Sequence, residues 1–207
     1  MGLFIGDHAS VEANAAILLE RSAKHGLHIW NAWTRGISGA VFNRRGDSVT
    51  GVGLLRSAMN EIRATGFVQR NRVFFGILAQ GLLRARQAAE GLSIIDEAFA
   101  QSGDGEEHWY LAELLRIKGE LLLLENAPGT TVSAELHFRR ALDCARRQGA
   151  LSWELRAATS LAHLWRDQGR RADAYDLLAP VFGWFTEGLD TRDLKEARAL
   201  LDALRSP

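Results

Sequence analysis

The sequence is poor in the residues that would indicate a disulfide scaffold, a β-rich fold or a membrane protein. It has one cysteine in 207 residues, which excludes an internal disulfide and a zinc site built from several cysteines. Its three prolines and its abundant alanine, leucine, arginine and glutamate favour helix over strand. The wholly apolar run at residues 121–124 is far too short to span a membrane. We therefore expect an all-α, cytoplasmic protein that has no membrane partner.

The sequence also lacks a charge excess and the motifs that would indicate catalysis. Lysine plus arginine equals aspartate plus glutamate at 25 each, so no overall positive field attracts nucleic acid. The pairs Arg44–Arg45 and Arg146–Arg147 stand near the ends of predicted helices, where cations stabilise the helix dipole. The six histidines form no HExxH motif and no i, i+4 pair, and no nucleophile elbow is present. We therefore predict no catalytic, cofactor-binding or metal-binding residues.

What is present is a repeated pair of amphipathic helices joined by glycine-containing turns. Gly46, Gly129 and Gly169 mark three of these turns, and apolar residues recur at helical spacing on either side. Small residues fall at matching positions, namely Gly36, Gly76, Gly119 and Thr159 in the first helices and Gly51, Gly91, Ala134 and Ala174 in the second helices. The members of a pair are 15 residues apart, and the second-helix members follow at intervals of 40, 43 and 40 residues. The sequence therefore predicts stacked helical hairpins with a regular period.

The small residues in these helices have a structural explanation. Where the two helices of a hairpin cross, a side chain larger than alanine would hold the backbones apart. A glycine inside a helix costs about 1 kcal/mol relative to alanine, so its presence indicates a compensating gain in packing. We therefore predict that Gly36, Gly76 and Gly119 lie where the first helix of each hairpin crosses the second, near Gly51, Gly91 and Ala134.

The period predicts a single helical domain over residues 1–207 with about four and a half repeats. Its expected parts are a half repeat at 1–26, full repeats at 27–66, 67–103, 106–149 and 151–188, and a capping helix at 190–205. The capping helix combines an apolar stripe with a charged face, as the end of a repeat array requires. We expect the chain to begin inside a repeat, so that the half repeat has no cap and forms an edge open to self-association.

The arrangement of small residues resembles the tetratricopeptide repeat. A small residue in the first helix, a turn glycine, and alanine or glycine in the second helix are the shared features, with a period near 40 in this chain and about 34 in the usual form. The resemblance implies a right-handed α-solenoid in which the first helices line a concave groove.

A longer stretch resembles one particular group of proteins. Residues 108–123, HWYLAELLRIKGELLL, and residues 134–204 are similar to the C-terminal tail of large bacterial signalling ATPases, a match over about the last 100 residues. In that family an adenylate/guanylate cyclase domain or a winged-helix domain precedes a P-loop ATPase and a helical array. This chain has no GxxxxGK[ST] motif, no cyclase core and no winged helix. The resemblance therefore implies the helical array without its catalytic domains.

The groove residues follow from the register of the first helices. Positions six and three before the small residue, and one and four after it, should face the groove. The predicted contacts taken from these positions are Trp30, Trp33, Arg70, Glu113, Arg116, Trp153, Arg156 and His163. Tryptophan and arginine are the residues that most often anchor interfaces, although tryptophan also fills space between stacked helices.

Two functions are compatible with such a groove. The first is a non-catalytic scaffold, expected to be the C-terminal fragment of a bacterial signalling ATPase or cyclase. It would bind a protein or peptide in the groove or couple a signal to upstream ATPase or cyclase domains. The alternative is a small-molecule sensor, because similar helical arrays in maltose-type bacterial regulators hold an effector. Trp30, Trp33 and Trp153 could then stack on a sugar ring.

Overall fold

The computed structural model describes residues 8–64, 72–100 and 108–205, and these segments contain helices and turns but no strand. The prediction of an all-α fold is confirmed. The chain divides into two compact units, residues 1–102 and 103–207. None of the helices in the described segments combines the length and the apolar composition needed to cross a membrane.

The first unit contains five helices that pack in chain order. They are α1 (His8–Lys24), α2 (His28–Arg45), α3 (Ser48–Ala64), α4 (Arg72–Arg84) and α5 (Ala88–Ala100). Each helix contacts the next along the chain, and α2 also contacts α4. Leu55, Leu78, Leu82 and Ile95 are fully buried between them. The unit is therefore built from two hairpins, α2–α3 and α4–α5, with α1 packed against the first.

The second unit repeats this arrangement. After a 3₁₀ turn at His108–Tyr110 come α6 (Leu111–Glu125), α7 (Thr130–Gln148), α8 (Leu151–Asp167), α9 (Arg171–Gly183) and α10 (Arg192–Arg205). Besides the contacts between consecutive helices, α8 packs against both α6 and α10. We call α6, α8 and α10 the first-helix layer of this unit; α7 and α9 form the other layer. Phe138, Leu155, Leu161 and Leu178 are buried between the two layers.

The helix pairs fall within the four predicted full repeats, and the consecutive packing of helices within each unit is consistent with an α-solenoid. The right-handed superhelix, the number of repeats and the single domain over residues 1–207 stay predictions. The last helix, α10, buries the apolar stripe Leu194, Ala197, Leu200, Leu201 and Leu204. Its Arg198 and Arg205 lie over the rings of Phe182 and Tyr175 in α9, at 5.7 and 5.2 Å from the ring centres.

The turn between the helices of a hairpin requires a left-handed residue. Gly46 ends α2 with φ of 97°, and its N–H donates to the carbonyl of Asn43 while the N–H of Asp47 donates to that of Phe42. Arg86 occupies the same place after α4, with φ of 58° and the same pair of hydrogen bonds one repeat later. The sequence indicated this turn at glycines only, because an arginine rarely adopts a positive φ.

The small residues allow close approach, but not all at the predicted contact. In α2 the residue that meets Gly51 is Gly39, because a Cβ at Gly39 would lie 2.8 Å from the Gly51 carbonyl oxygen. The prediction that Gly36 makes this crossing is wrong; a Cβ there would lie 2.9 Å from the ring of Phe74 in α4. Positions three residues apart on a helix face somewhat different directions, so Gly36 and Gly39 contact different helices. Gly119 does face its own partner helix, where a Cβ would overlap the ring of Phe138.

A buried asparagine fills the space that two glycines leave in the first unit. Asn43 is 2% exposed, and its amide occupies the positions that Cβ atoms at Gly51 and Gly81 would require. Its Nδ2 donates to the carbonyl of Ile77 at 3.5 Å, whereas Oδ1 has no hydrogen-bond partner among the described residues. Arg84 donates to the Asn43 carbonyl. Asn43 thus packs against α3 and α4 together.

The first helix, α1, buries Ala15 and Ser22 against α2, and the Ser22 hydroxyl donates to Oδ1 of Asn31 at 2.6 Å. Ile17 and Leu19 are half-exposed, at 50% and 49%. Self-association through this edge stays a prediction.

Gly39→Ala should destabilise the protein, because the obstructing atom is a backbone oxygen that cannot rotate aside. Pushing α2 and α3 apart should lower the free energy of unfolding by about 1–3 kcal/mol, as overpacking does. The matched control is Gly53→Ala in α3, where a Cβ meets no described atom within 4 Å. Alanine there should raise the free energy of unfolding by about 0.5–1 kcal/mol. Urea denaturation followed by circular dichroism measures both, and equal effects would contradict the close approach.

Candidate functional site

The first-helix layer of the second unit brings together five of the predicted groove residues. Glu113 and Arg116 lie on α6, and Trp153, Arg156 and His163 lie on α8. Ion pairs and a ring contact link Glu113, Arg116, Arg156 and Trp153 into one connected group of side chains, and His163 lies farther along α8. Contact between these residues and a ligand stays a prediction.

A buried carboxylate is at the centre of this group. The side chain of Glu113 is only 2% exposed and accepts hydrogen bonds from two arginines. Arg116 donates through Nε and Nη2 at 2.8 and 2.9 Å, a bidentate pair one helical turn along α6. Arg156 donates through Nη1 from α8 at 3.3 Å. Glu113 therefore joins two successive first helices.

The arginines keep Glu113 ionised in the interior. Burial alone would raise the pKa of Glu113, but the charges of Arg116 and Arg156 and their hydrogen bonds outweigh it and lower that pKa below its ordinary value. Burial opposes the charge of each guanidinium as well, and the carboxylates around them more than compensate, so the pKa of Arg116 and that of Arg156 are raised. All three groups are therefore charged at neutral pH.

The network continues to a third helix. Nε of Arg156 donates to Oδ2 of Asp193 on α10 at 2.6 Å. On the other side, Arg116 pairs with Glu120 at 3.4 Å, and the buried hydroxyl of Ser160 on α8 donates to the same carboxylate at 2.6 Å. The first-helix layer is thus tied together by polar contacts that run from α6 through α8 to α10.

Two further residues of α10 belong to this surface, although the sequence analysis did not find them. Asp193 and Glu196 follow Trp153 and Arg156 by one period of 40 residues, so α10 stands in the register of another first helix. Oε1 of Glu196 lies 3.7 Å from Nε2 of His163. That contact lowers the pKa of Glu196, with help from nearby Arg192 and Arg116. The signal was available: extending the groove positions by one more period would have given both carboxylates.

Aromatic rings lie beside the ionic network. Trp153 is in edge contact with Tyr110, with ring centres 5.5 Å apart, and Trp109 lies 6.4 Å from Trp153. The guanidinium of Arg156 lies over the ring of Trp153 at 5.0 Å. We call Trp109, Tyr110 and Trp153 the aromatic cluster. Tyr110 is buried, whereas Trp109 is 43% exposed. Sequence reasoning missed Trp109 because it precedes the first regular turn of α6 and so falls outside the helical register.

The first unit has a separate aromatic group on its first helices. Trp30 and Trp33 lie one turn apart on α2, with ring centres 6.3 Å apart. Trp33 packs edge-on against the buried Phe74 of α4 at 4.9 Å. Trp30 is 46% exposed. The remaining predicted groove residue, Arg70, lies outside the described residues.

Several of the paired arginines have acidic partners. Arg45 pairs with Glu12 at 2.6 Å, and Arg146 pairs with Glu154 at 2.8 Å. Within the described segments, no three His, Cys, Asp or Glu side chains come together as ligands for a metal ion.

Comparison of the sequence with protein-family models gives no match, and no curated protein matches it significantly. The tetratricopeptide-like assignment and the relationship to bacterial signalling ATPases therefore stay predictions.

Glu113→Gln should be strongly destabilising, because it leaves two mostly buried guanidiniums around a neutral amide. We expect a loss of about 3 kcal/mol in the free energy of unfolding, at the lower end for breaking a buried ion pair, since Arg116 and Arg156 keep Glu120 and Asp193. The control is Glu90→Gln, which breaks the exposed pair with Arg56 and should cost less than about 1 kcal/mol. Chemical denaturation at neutral pH measures both, and similar losses would show that the buried network is not special.

The contribution of Glu113 should also depend on pH. Because its folded-state pKa is lowered, the stability it provides is fully present above the unfolded pKa of about 4.3 and is lost as the pH falls from there toward the folded value. The stability difference between wild type and Glu113→Gln should therefore be constant from about pH 7 to 5.5 and shrink below about pH 4.3. Urea titrations at stepped pH measure this difference, and a difference that stays unchanged down to the acid transition would contradict the ion-paired state.

Proposed function

We propose that this protein is a non-catalytic, tetratricopeptide-like scaffold that binds a protein or peptide along its first helices. The observation that carries the proposal is the placement of partly exposed tryptophans on those helices, or in the 3₁₀ turn directly before one of them, in both units. Trp30 is exposed beside Trp33 in the first unit, and Trp109 beside Trp153 in the second. Large aromatic side chains at a surface are typical anchors of protein interfaces.

The ionic network supports this proposal because it holds the first helices of the second unit in fixed positions. Arg116 and Arg156 are only 11% and 13% exposed, and carboxylates of the chain itself already occupy them. They hold α6, α8 and α10 in place. A surface that is rigid before binding loses less conformational entropy on binding, which favours affinity.

The proposal extends to a place in signalling. Residues 108–123 and 134–204 resemble the helical tails of bacterial signalling ATPases, and we infer that this scaffold works beside ATPase or cyclase domains of that kind. Tethering a partner near such domains requires no chemistry in the scaffold, in agreement with a sequence that lacks catalytic motifs.

Small-molecule sensing is the second candidate, and the rings of the first unit favour it. Trp30 and Trp33 adjoin each other, and Phe74 supports Trp33 from α4. Two adjacent rings of this kind can stack on a sugar. The two candidates differ in the size of ligand that the protein should select.

Selection from a random peptide display library against the full chain should yield binders whose affinity falls at least about 10-fold in Trp109→Ala or Trp30→Ala, the loss typical of an interface anchor. The matched control is Trp184→Ala, which removes a 69%-exposed tryptophan after α9 and should change the affinity less than about 2-fold. In parallel, a panel of mono- and disaccharides should leave the melting temperature unchanged. A sugar that raises the melting temperature, together with no tryptophan-dependent peptide, would favour the sensor.

A further inference from the structure

We propose that the first-helix layer of the second unit binds a basic peptide segment that carries an aromatic or other large apolar residue. This proposal rests on the proposed scaffold function and specifies its partner. The apolar residue packs on Trp109 and Trp153, and the lysines or arginines of the partner face the carboxylates of the same layer.

The most accessible charges of this ionic network are negative. The two guanidiniums at its centre, Arg116 and Arg156, are 11% and 13% exposed. Three carboxylates around them are much more accessible: Glu120 at 30%, Asp193 at 34% and Glu196 at 51%. We call these three residues the acidic rim. An approaching partner therefore meets negative charge, although the sequence shows arginines and glutamates in similar number along these helices.

The contacts connect the acidic rim to the aromatic cluster. Arg156 lies over the ring of Trp153 on one side and binds Asp193 on the other. Glu196 lies one turn after Asp193 on α10. Exposed Trp109 is next to Trp153. An apolar anchor on Trp109 and a cation at Asp193 or Glu196 are therefore within reach of one short peptide.

An acidic partner does not fit this surface. To reach Arg116 or Arg156, its carboxylate would have to displace Glu113 or Asp193, which already bind these arginines. It would also pass the acidic rim, where like charges repel. Arg192 at the start of α10 is exposed and offsets part of the negative charge. Glu113, Glu120, Asp193 and Glu196 carry four negative charges, against three positive charges on Arg116, Arg156 and Arg192, so the network keeps a net negative charge that favours cations.

The experiment uses the peptides that display selection against the full chain enriches. We expect lysine and arginine to exceed aspartate and glutamate in the enriched pool, together with an aromatic or large aliphatic residue. Binding should weaken with increasing salt, because the charges of the rim are exposed to screening.

Variants locate the binding. Trp109→Ala should lower the affinity of the enriched peptides at least about 10-fold. Glu196→Lys should lower it by a similar factor, about 10-fold, through charge reversal. The matched control is Asp176→Lys, an equal change of charge at an exposed position of α9 in the other layer, which should alter affinity less than about 2-fold. Thermal melts confirm that each variant is folded.

The outcomes separate the two proposals. The enriched peptides could depend on Trp109 and yet be acidic, or bind the Glu196→Lys variant as well as the wild type. Either result would overturn the basic partner and leave the scaffold function in place. A sugar, or a second copy of the chain, that competes at Trp109 would overturn the basic peptide as occupant. If no enriched peptide depends on Trp109 or Glu196, the basic partner is overturned. If, in addition, no enriched peptide depends on Trp30, the scaffold function is overturned too.

Discussion

The second unit depends on one constraint: the charge of Glu113 must be neutralised where water does not reach it. A buried carboxylate without partners would cost several kcal/mol or take up a proton. Here one guanidinium comes from the same helix and one from the next first helix, so neutralisation requires α6 and α8 to lie side by side. Arg156 then needs Asp193, which extends the same requirement to α10. The order of the three helices in the layer is thus fixed by charge as well as by apolar packing, and the tryptophans beside them sit on a frame with little freedom to rearrange.

The first unit solves the same packing problem by close approach. Gly39 and Gly51 let the backbones of α2 and α3 nearly touch, and Asn43 fills the remaining space against α4. Dispersion between well-packed atoms provides the attraction there, and no buried ion pair like that of Glu113 is found among the described residues of this unit. The exposed pairs of α3 with α5, such as Arg56 with Glu90, contribute little by comparison. Two chemically different solutions therefore produce the same hairpin arrangement, which explains why the repeat is visible in residue size more than in residue identity.

Much of the fold could be predicted from the sequence, because helical periodicity and turn glycines are local signals. The positions of Glu113, Arg116, Trp153 and Arg156 on one layer also followed from the register. The helical register did not predict which individual residues contact each other. Gly36 and Gly39 differ by less than one turn, so spacing alone could not say which of them meets Gly51 and which meets Phe74. Trp109 lies in a 3₁₀ turn, where the 3.6-residue period does not apply. The pairing of the charged residues could not be predicted either, since a sequence lists charges without showing which are buried.

The register of α10 has a consequence for how such a chain can change in length. Asp193 and Glu196 repeat the positions of Trp153 and Arg156 after 40 residues, and α10 packs on α8 as α8 packs on α6. Equivalent positions on successive first helices therefore have the same kind of packing, so a repeated segment can begin or end at any of them. Duplication or loss of a segment between two such points creates no new kind of helix contact and changes only which residue pairs face each other across it. A change of length by a whole period therefore preserves the helix packing, but it must also leave each buried carboxylate facing an arginine of the next first helix, as Glu113 faces Arg156.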